Sequence, residues 1–381
     1  MESPRGRIAL MNAIWRDQLD DITKATEHLD NCIGCRSCEA VCPADVPYDQ
    51  LLRATRHKLS TGTERQPNRA ARLGLWLIQH KRMLRAATTL TRWLQKFSAL
   101  RMISRTPLAH KLNLRIALSA IPTLKRAPHW RARYPRKKSG KESVALFTGC
   151  VSDLMDPESV TAAIHLLIAA GYDVEIPREQ VCCGSLHAHQ GDAKTAQQLA
   201  QKNAEALAST KGPSVISLHS GCTAFLQDSA TEQGSRHEKQ VVDACAFIAE
   251  LRVATLFQFA PLKQRALIHL PCTQRNVVKK TQAAVELLRA IPELELQVLN
   301  ADSGCCGAAG TYFLSHEATA QQLGNNLIDR ALEWKPDIIA TTNIGCALQL
   351  QHILRARGHN VEVMHPLTLL ERQRRGASAS A

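Results

Sequence analysis

One set of cysteines occurs twice in this chain. Cys150, the turn Cys182-Cys183-Gly184 and Cys222 return as Cys272, Cys305-Cys306-Gly307 and Cys346, at displacements of 122, 123 and 124 residues. Thr195-Ala196-Gln197-Gln198-Leu199 returns with them as Thr319-Ala320-Gln321-Gln322-Leu323. Spacing held this closely over so long an interval marks a duplicated module whose thiols belong to its own site.

Each copy alternates strands and helices. A β-rich run, residues 144–147 or 266–269, ends at Gly-Cys or Pro-Cys and leads into an apolar-periodic helix, 160–170 or 283–290. A second extended run, 172–176 or 294–299, leads to Cys-Cys-Gly. The helix bearing Gln-Gln-Leu then precedes a third strand, 215–218 or 338–341, which ends at Gly221-Cys222 or Gly345-Cys346. This order predicts a mixed α/β fold of two parallel sheets, with the four thiols of each copy in loops at the strand carboxyl ends, where open α/β sheets bind ligands.

The thiol chemistry narrows the possibilities. Two vicinal thiolates can serve one cluster only if the backbone turns sharply, and glycine supplies the positive φ or close approach such a turn needs. A buried accident or a vicinal disulfide could explain one Cys-Cys-Gly, but not readily two at matched offsets in a repeat. Thirteen cysteines, an odd number with adjacent pairs and close spacing, fit metal-bound thiolates in a reducing compartment better than a secreted disulfide framework. Candidate metal ligands are therefore Cys150, Cys182, Cys183 and Cys222, with Cys272, Cys305, Cys306 and Cys346.

Near the N-terminus lies Cys32-Ile33-Gly34-Cys35-Arg36-Ser37-Cys38-Glu39-Ala40-Val41-Cys42-Pro43. C-x-x-C-x-x-C-x-x-x-C-P is the spacing in which three thiolates wrap a [4Fe-4S] cube and the fourth reaches another cluster. Cys32, Cys35 and Cys38 would then share one cluster and Cys42 would serve a second. Zinc is the alternative, and four thiols this crowded suit its tetrahedron poorly.

The organisation expected is a partial ferredoxin-type segment (1–50), a basic helical bridge (51–140), the two modules (144–258 and 264–371) and a fraying tail (372–381). The formal charge of +14 is concentrated in the bridge, where Arg82, Arg85, Arg92, Lys96, Arg101, Arg105, Lys111, Arg115 and the run 131–138 interleave with apolar residues at helical spacing. That face is either simply solvated or a dock for an acidic subunit or anionic membrane. Nucleic acid is not expected, because aromatic content is 4% and no nucleic-acid motif occurs. The N-terminal residues lack the apolar core of a signal peptide and no run is long enough to span a bilayer, so a cytoplasmic protein with at most peripheral membrane contact is expected. Cys245 reads as a core thiol, and His187 and His189 as ordinary residues beside the first Cys-Cys-Gly. With no carboxylates paired at suggestive spacing, no catalytic residue is assigned.

Ser3-Pro4-Arg5-Gly6-Arg7-Ile8, the ferredoxin-type run and the two Cys-Cys-Gly modules together resemble the iron-sulfur subunit of glycolate oxidase. Similar modules occur in heterodisulfide reductase, anaerobic glycerol-3-phosphate dehydrogenase and lactate-utilisation proteins. The resemblance implies an electron-transfer subunit. A separate FAD-binding subunit would oxidise a 2-hydroxy acid, and clusters here would pass electrons toward a quinone or membrane acceptor. The chain has no G-x-G-x-x-G dinucleotide fingerprint, in keeping with a flavin held elsewhere. The family carries two ferredoxin-type runs flanking the Pro-Arg-Gly-Arg segment, whereas that segment opens this sequence, so at least one [4Fe-4S] cluster is expected and the second, which Cys42 would serve, is expected to lack its other three ligands. Its fullest modules end in C-x-x-C, whereas His219 and Asn343 stand here in place of the first cysteine, leaving four thiols per module for a cubane or zinc. A thiol-disulfide redox protein and a zinc-stabilised scaffold are the other readings.

Overall fold

The computed structural model describes residues 2–62, 65, 69–96, 121–124, 126, 128–136, 142–232 and 239–375. Two parallel sheets carry the duplicated sequence. The first runs in the order β1 (Arg133–Tyr134), β3 (Asp173–Glu175), β2 (Ser143–Phe147), β4 (Ser214–Ser217), β5 (Gln240–Asp243); the second runs β7 (Glu295–Val298), β6 (Arg265–His269), β8 (Ile338–Thr341), β9 (Glu362–Met364). Apart from β1, which joins the edge antiparallel through Arg133 opposite Glu175, the two orders are the same. Each copy thus has a fourth parallel strand beyond the three its sequence announces.

Strand burial explains the apolar runs. Val144 and Leu146 of β2 face one core while Ala145 and Phe147 face another, and in β6 Ala266 and Ile268 oppose Leu267 in the same way. Parallel strands covered by helices on both faces need apolar side chains throughout, so alternation disappears from the sequence although it persists in space. The inner faces of both sheets close on one shared core. There the helix Pro157–Ala169 packs on Pro366–Gln373, and Ala244–Glu250 packs on Thr281–Arg289. Cys245 is buried in that core, as expected of a structural thiol.

The N-terminal segment has its own small core of Met11, Ile14, Leu29, Tyr48, Leu52 and Leu59, against which Cys32 and Cys38 pack. Ser3 caps its first helix, Pro4–Trp15, by accepting from the Gly6 N–H at 3.1 Å, and Pro4 needs no hydrogen bond in the first turn. Residue 50 falls inside the helix Tyr48–Thr61, which contributes to this core. The amphipathic bridge appears as the helices Arg69–Gln79 and Lys81–Lys96. Arg85, expected on the outward face, instead meets the buried carboxylate of Asp153 at 3.1 Å. Arg101, Arg105, Lys111, Arg115, Lys137 and Lys138 lie outside the described residues, as does the tail beyond 375. Residues 372 and 373 complete the last helix and Arg374 forms a bridge with Phe259, so the chain is ordered into the segment expected to fray. No described helix is long and apolar enough to cross a membrane.

Candidate metal centres

Strand order reverses direction around β2 and β6, and the thiols gather at the crevices this creates at the strand carboxyl ends. Cys150 and Cys272 follow β2 and β6, and the Cys-Cys-Gly turns follow β3 and β7. The fourth thiols depart from the expected loop positions. Cys222 and Cys346 lie in the first turns of the helices Ser220–Glu232 and Ile344–Ala356. The reason is visible at Asn343, whose Oδ1 accepts from the Gly345 and Cys346 amides and starts the helix ahead of the thiol.

The helix bearing the repeated Thr-Ala-Gln-Gln-Leu packs its backbone closely on each Cys-Cys-Gly turn. Gly184 has φ +102° and a Cβ placed there would lie 2.9 Å from the Ala196 carbonyl oxygen; Gly307 has φ +80° and a Cβ would lie 2.1 Å from that of Ala320. Each turn therefore needs glycine twice over, for its dihedral and for the closeness of the following helix. In the first module Asn203 adds a clamp, accepting from the Val181 amide at 2.9 Å and donating to the Cys182 carbonyl at 2.8 Å. Leu327 stands 124 residues on, so the second turn lacks this support.

Within each module the thiols come together. In the first, Cys150 and Cys182 lie close enough to shift one another's titration, as do Cys182 and Cys183, and Cys183 is shifted by Cys222. Hydrogen bonds from Cys150 and Cys183 hold Cys182 well below the ordinary thiol range, and the bond to Cys182 together with burial pushes Cys150 well up. In the second, the sulfurs of Cys306 and Cys346 are 2.9 Å apart and Cys305 neighbours Cys306. Cys272 is pushed up to about 12 by burial, by Cys305 and by Cys35 of the N-terminal run. Soft, deprotonatable sulfur gathered in this way suits iron-sulfur clusters or zinc. Among the described residues no three His, Cys, Asp or Glu side chains close on a single point as a preformed one-ion cage. The fit therefore rests on the donor set, and a cluster, which spreads its thiolates around several irons, asks less convergence of them than one ion does.

The N-terminal thiols border a cavity of about 390 Å³, lined by Cys32, Cys35 and Cys38 together with Pro4, Arg7, Tyr48 and Tyr312. Cys42 is not among its lining residues. Gly34 at φ +63° and Arg36 at φ +58° curl the run. Arg56, almost wholly buried, donates to the Cys32 and Leu29 carbonyls at 2.8 and 2.9 Å, bringing positive charge to the base of the loop. The Tyr48 hydroxyl donates toward the Cys32 sulfur at 3.6 Å. Three thiols facing a cavity, with cationic support and a hydroxyl directed at sulfur, fit a [4Fe-4S] cluster, whose anionic charge and thiolate sulfurs would meet those groups. No sequence pattern singles out Arg56, Tyr48, Tyr312 or Asn203, and Pro4 and Arg7 stand out in the sequence only through the family resemblance.

His219 and Asn343 lie at the seam between the modules, the His219 ring nitrogens buried without a hydrogen-bond partner. The His219 ring lies edge-on to His365 of the second module at 5.4 Å, and Asn343 reaches toward Ser220 and Thr273 at 3.4 Å each. Both dock one module on the other. His187 is likewise occupied, by Asp192 at 3.1 Å and Gln79 at 3.2 Å.

Comparison with known proteins agrees with this construction. The cysteine-rich domain family matches residues 144–227 and 266–351, and the 4Fe-4S binding domain family matches 26–48. The probable glycolate oxidase iron-sulfur subunit of Bacillus subtilis (strain 168) is 28% identical across 97% of this chain and 87% of its own length. The glycolate oxidase iron-sulfur subunit of Escherichia coli (strain K12) is 27% identical across 97% and 88%. A subunit of the anaerobic glycerol-3-phosphate dehydrogenase of the same organism is 31% identical across 60% and 59%. With one 4Fe-4S binding domain leading into two cysteine-rich domains, the chain belongs among the homologues of the glycolate oxidase iron-sulfur subunits.

Proposed function

We propose that the chain is the electron-transfer subunit of a flavin-dependent glycolate (2-hydroxy-acid) dehydrogenase complex, taking electrons from an FAD-binding subunit and delivering them toward a quinone-type acceptor. Cys32, Cys35 and Cys38 would hold a [4Fe-4S] cluster, and the four thiols of each module a further iron-sulfur or zinc centre. Bound clusters would supply one-electron chemistry. The chain's own part is to fix the thiolates, bring Arg7 and Arg56 to the N-terminal loop and keep it against the modules. The observation that carries this reading is the placement of a three-thiol cavity directly against a module that has its own thiols, a succession of sites suited to relaying charge. The test is anaerobic co-expression with a candidate FAD-binding protein. Co-purification, bound iron and glycolate-dependent dye reduction that disappears with Cys35→Ser are expected. An iron-loaded chain that binds no flavoprotein and supports no such reduction would refute the assignment.

A further inference from the structure

The two modules treat the N-terminal run differently. Four residues after its first thiol, the first module has Leu154, buried in the ordinary helical turn Ser152–Met155. At the same place the second module has Asn276, in the middle of a π-helical turn, Gln274–Val278, that Lys279 ends at φ +58°. Isolated π turns are uncommon and tend to mark functional positions. This one presents the Asn276 amide to the cluster loop, where Nδ2 donates to the Cys35 carbonyl at 2.7 Å and to Ser37 Oγ at 2.9 Å. Tyr312, Thr319 and Leu323 of the second module complete the wall of the three-thiol cavity. Contacts with the first module are of another kind. Arg36 pairs with Asp228 at 2.6 Å, nearly two helical turns beyond Cys222, and Arg56 donates to the His189 carbonyl at 3.1 Å.

We infer that Asn276 is a positioning residue that locks the Cys35–Ser37 turn onto the second module, so that the N-terminal centre exchanges electrons with the second module's centre and not directly with the first's. This rests on the thiols holding iron-sulfur clusters, and the test separates the two claims. Anaerobically purified full-length chain is reduced and examined by electron paramagnetic resonance, with iron content measured in parallel. The N-terminal signal should show fast relaxation from a neighbouring paramagnet, kept in Cys183→Ser and lost in Cys306→Ser, with Cys305→Ala as substitute if that variant does not fold. Asn276→Ala should keep its circular dichroism and iron yet weaken the magnetic interaction and release N-terminal iron to a chelator several-fold faster, and Asn276→Gln should restore part of both. Iron-free wild-type protein would sink the cluster reading and this inference together. Iron present with an interaction that is absent, or that vanishes in Cys183→Ser instead, would overturn the inference alone, as would an Asn276→Ala variant indistinguishable from wild type.

Discussion

Single side chains around the thiols set how each site behaves. A hydrogen bond to a cluster sulfur stabilises the more negatively charged, reduced state, so Tyr48→Phe should lower the potential of the N-terminal centre while leaving iron content unchanged. Redox titration of the two proteins decides it, and equal potentials would make the hydroxyl merely a core filler. Asn203→Ala strips partners from the Val181 amide and the Cys182 carbonyl, at about 1–3 kcal/mol for each group left unsatisfied. Metal should then be lost from the first module only, since Leu327 shows that the second never had the clamp. Gly307→Ala combines positive φ with a Cβ 2.1 Å from a carbonyl oxygen, and strain of that kind costs on the order of 1–3 kcal/mol before any clash is counted. Thermal unfolding should show it more damaging than Gly184→Ala, where the approach is 2.9 Å.

At the level of elements, His365 ties the two copies together. Its Nε2–H donates to the Leu218 carbonyl at the end of the first module's β4, and its Nδ1 accepts from the Leu367 amide at the head of the last helix. Neutrality is required for both bonds, and burial lowers its pKa to about 4; burial, with His365 beside it, lowers that of His219 to about 3. Because the folded values lie below the unfolded value near 6.5, the unfolded chain binds more protons in this window. Stability is thus fully present above about pH 6.5 and should be lost as pH falls toward 4, by roughly 3 kcal/mol through His365. Denaturant melts across that range should show a shallower slope for His365→Gln, and parallel slopes would remove His365 as the cause. Strands such as 338–341 were legible in the sequence because double-sided burial leaves an unbroken apolar run. β5 and β9 were not, because each is a short edge strand with Gln240 or Glu362 exposed at its start, and such a run resembles loop. The thiol positions were plain from spacing alone. Asn276 and Arg56 were hidden because their partners are backbone carbonyls far away in sequence, which no local pattern encodes.

Among the described residues, the positive charge of the bridge divides into internal and outward parts. Arg85 and Lys81 converge on buried Asp153, so they hold the bridge to the first module, whereas Arg82 stands on the exposed side of the helix Lys81–Lys96 near Met83, Leu90 and Trp93. Arg82→Glu with Lys96→Glu should weaken capture of the proposed flavoprotein partner, the more so at low salt where steering is unscreened, without changing cluster absorption. Pull-downs insensitive to both substitutions and salt would leave that face solvated only. The shared core between the sheets has a further consequence. The two modules bury side chains in one core and are pinned across the seam by the Ser220 amide donating to the Thr342 carbonyl and by His365. In the electron-transfer role proposed above, such a joined frame would keep the protein's own contribution to the reorganisation energy small.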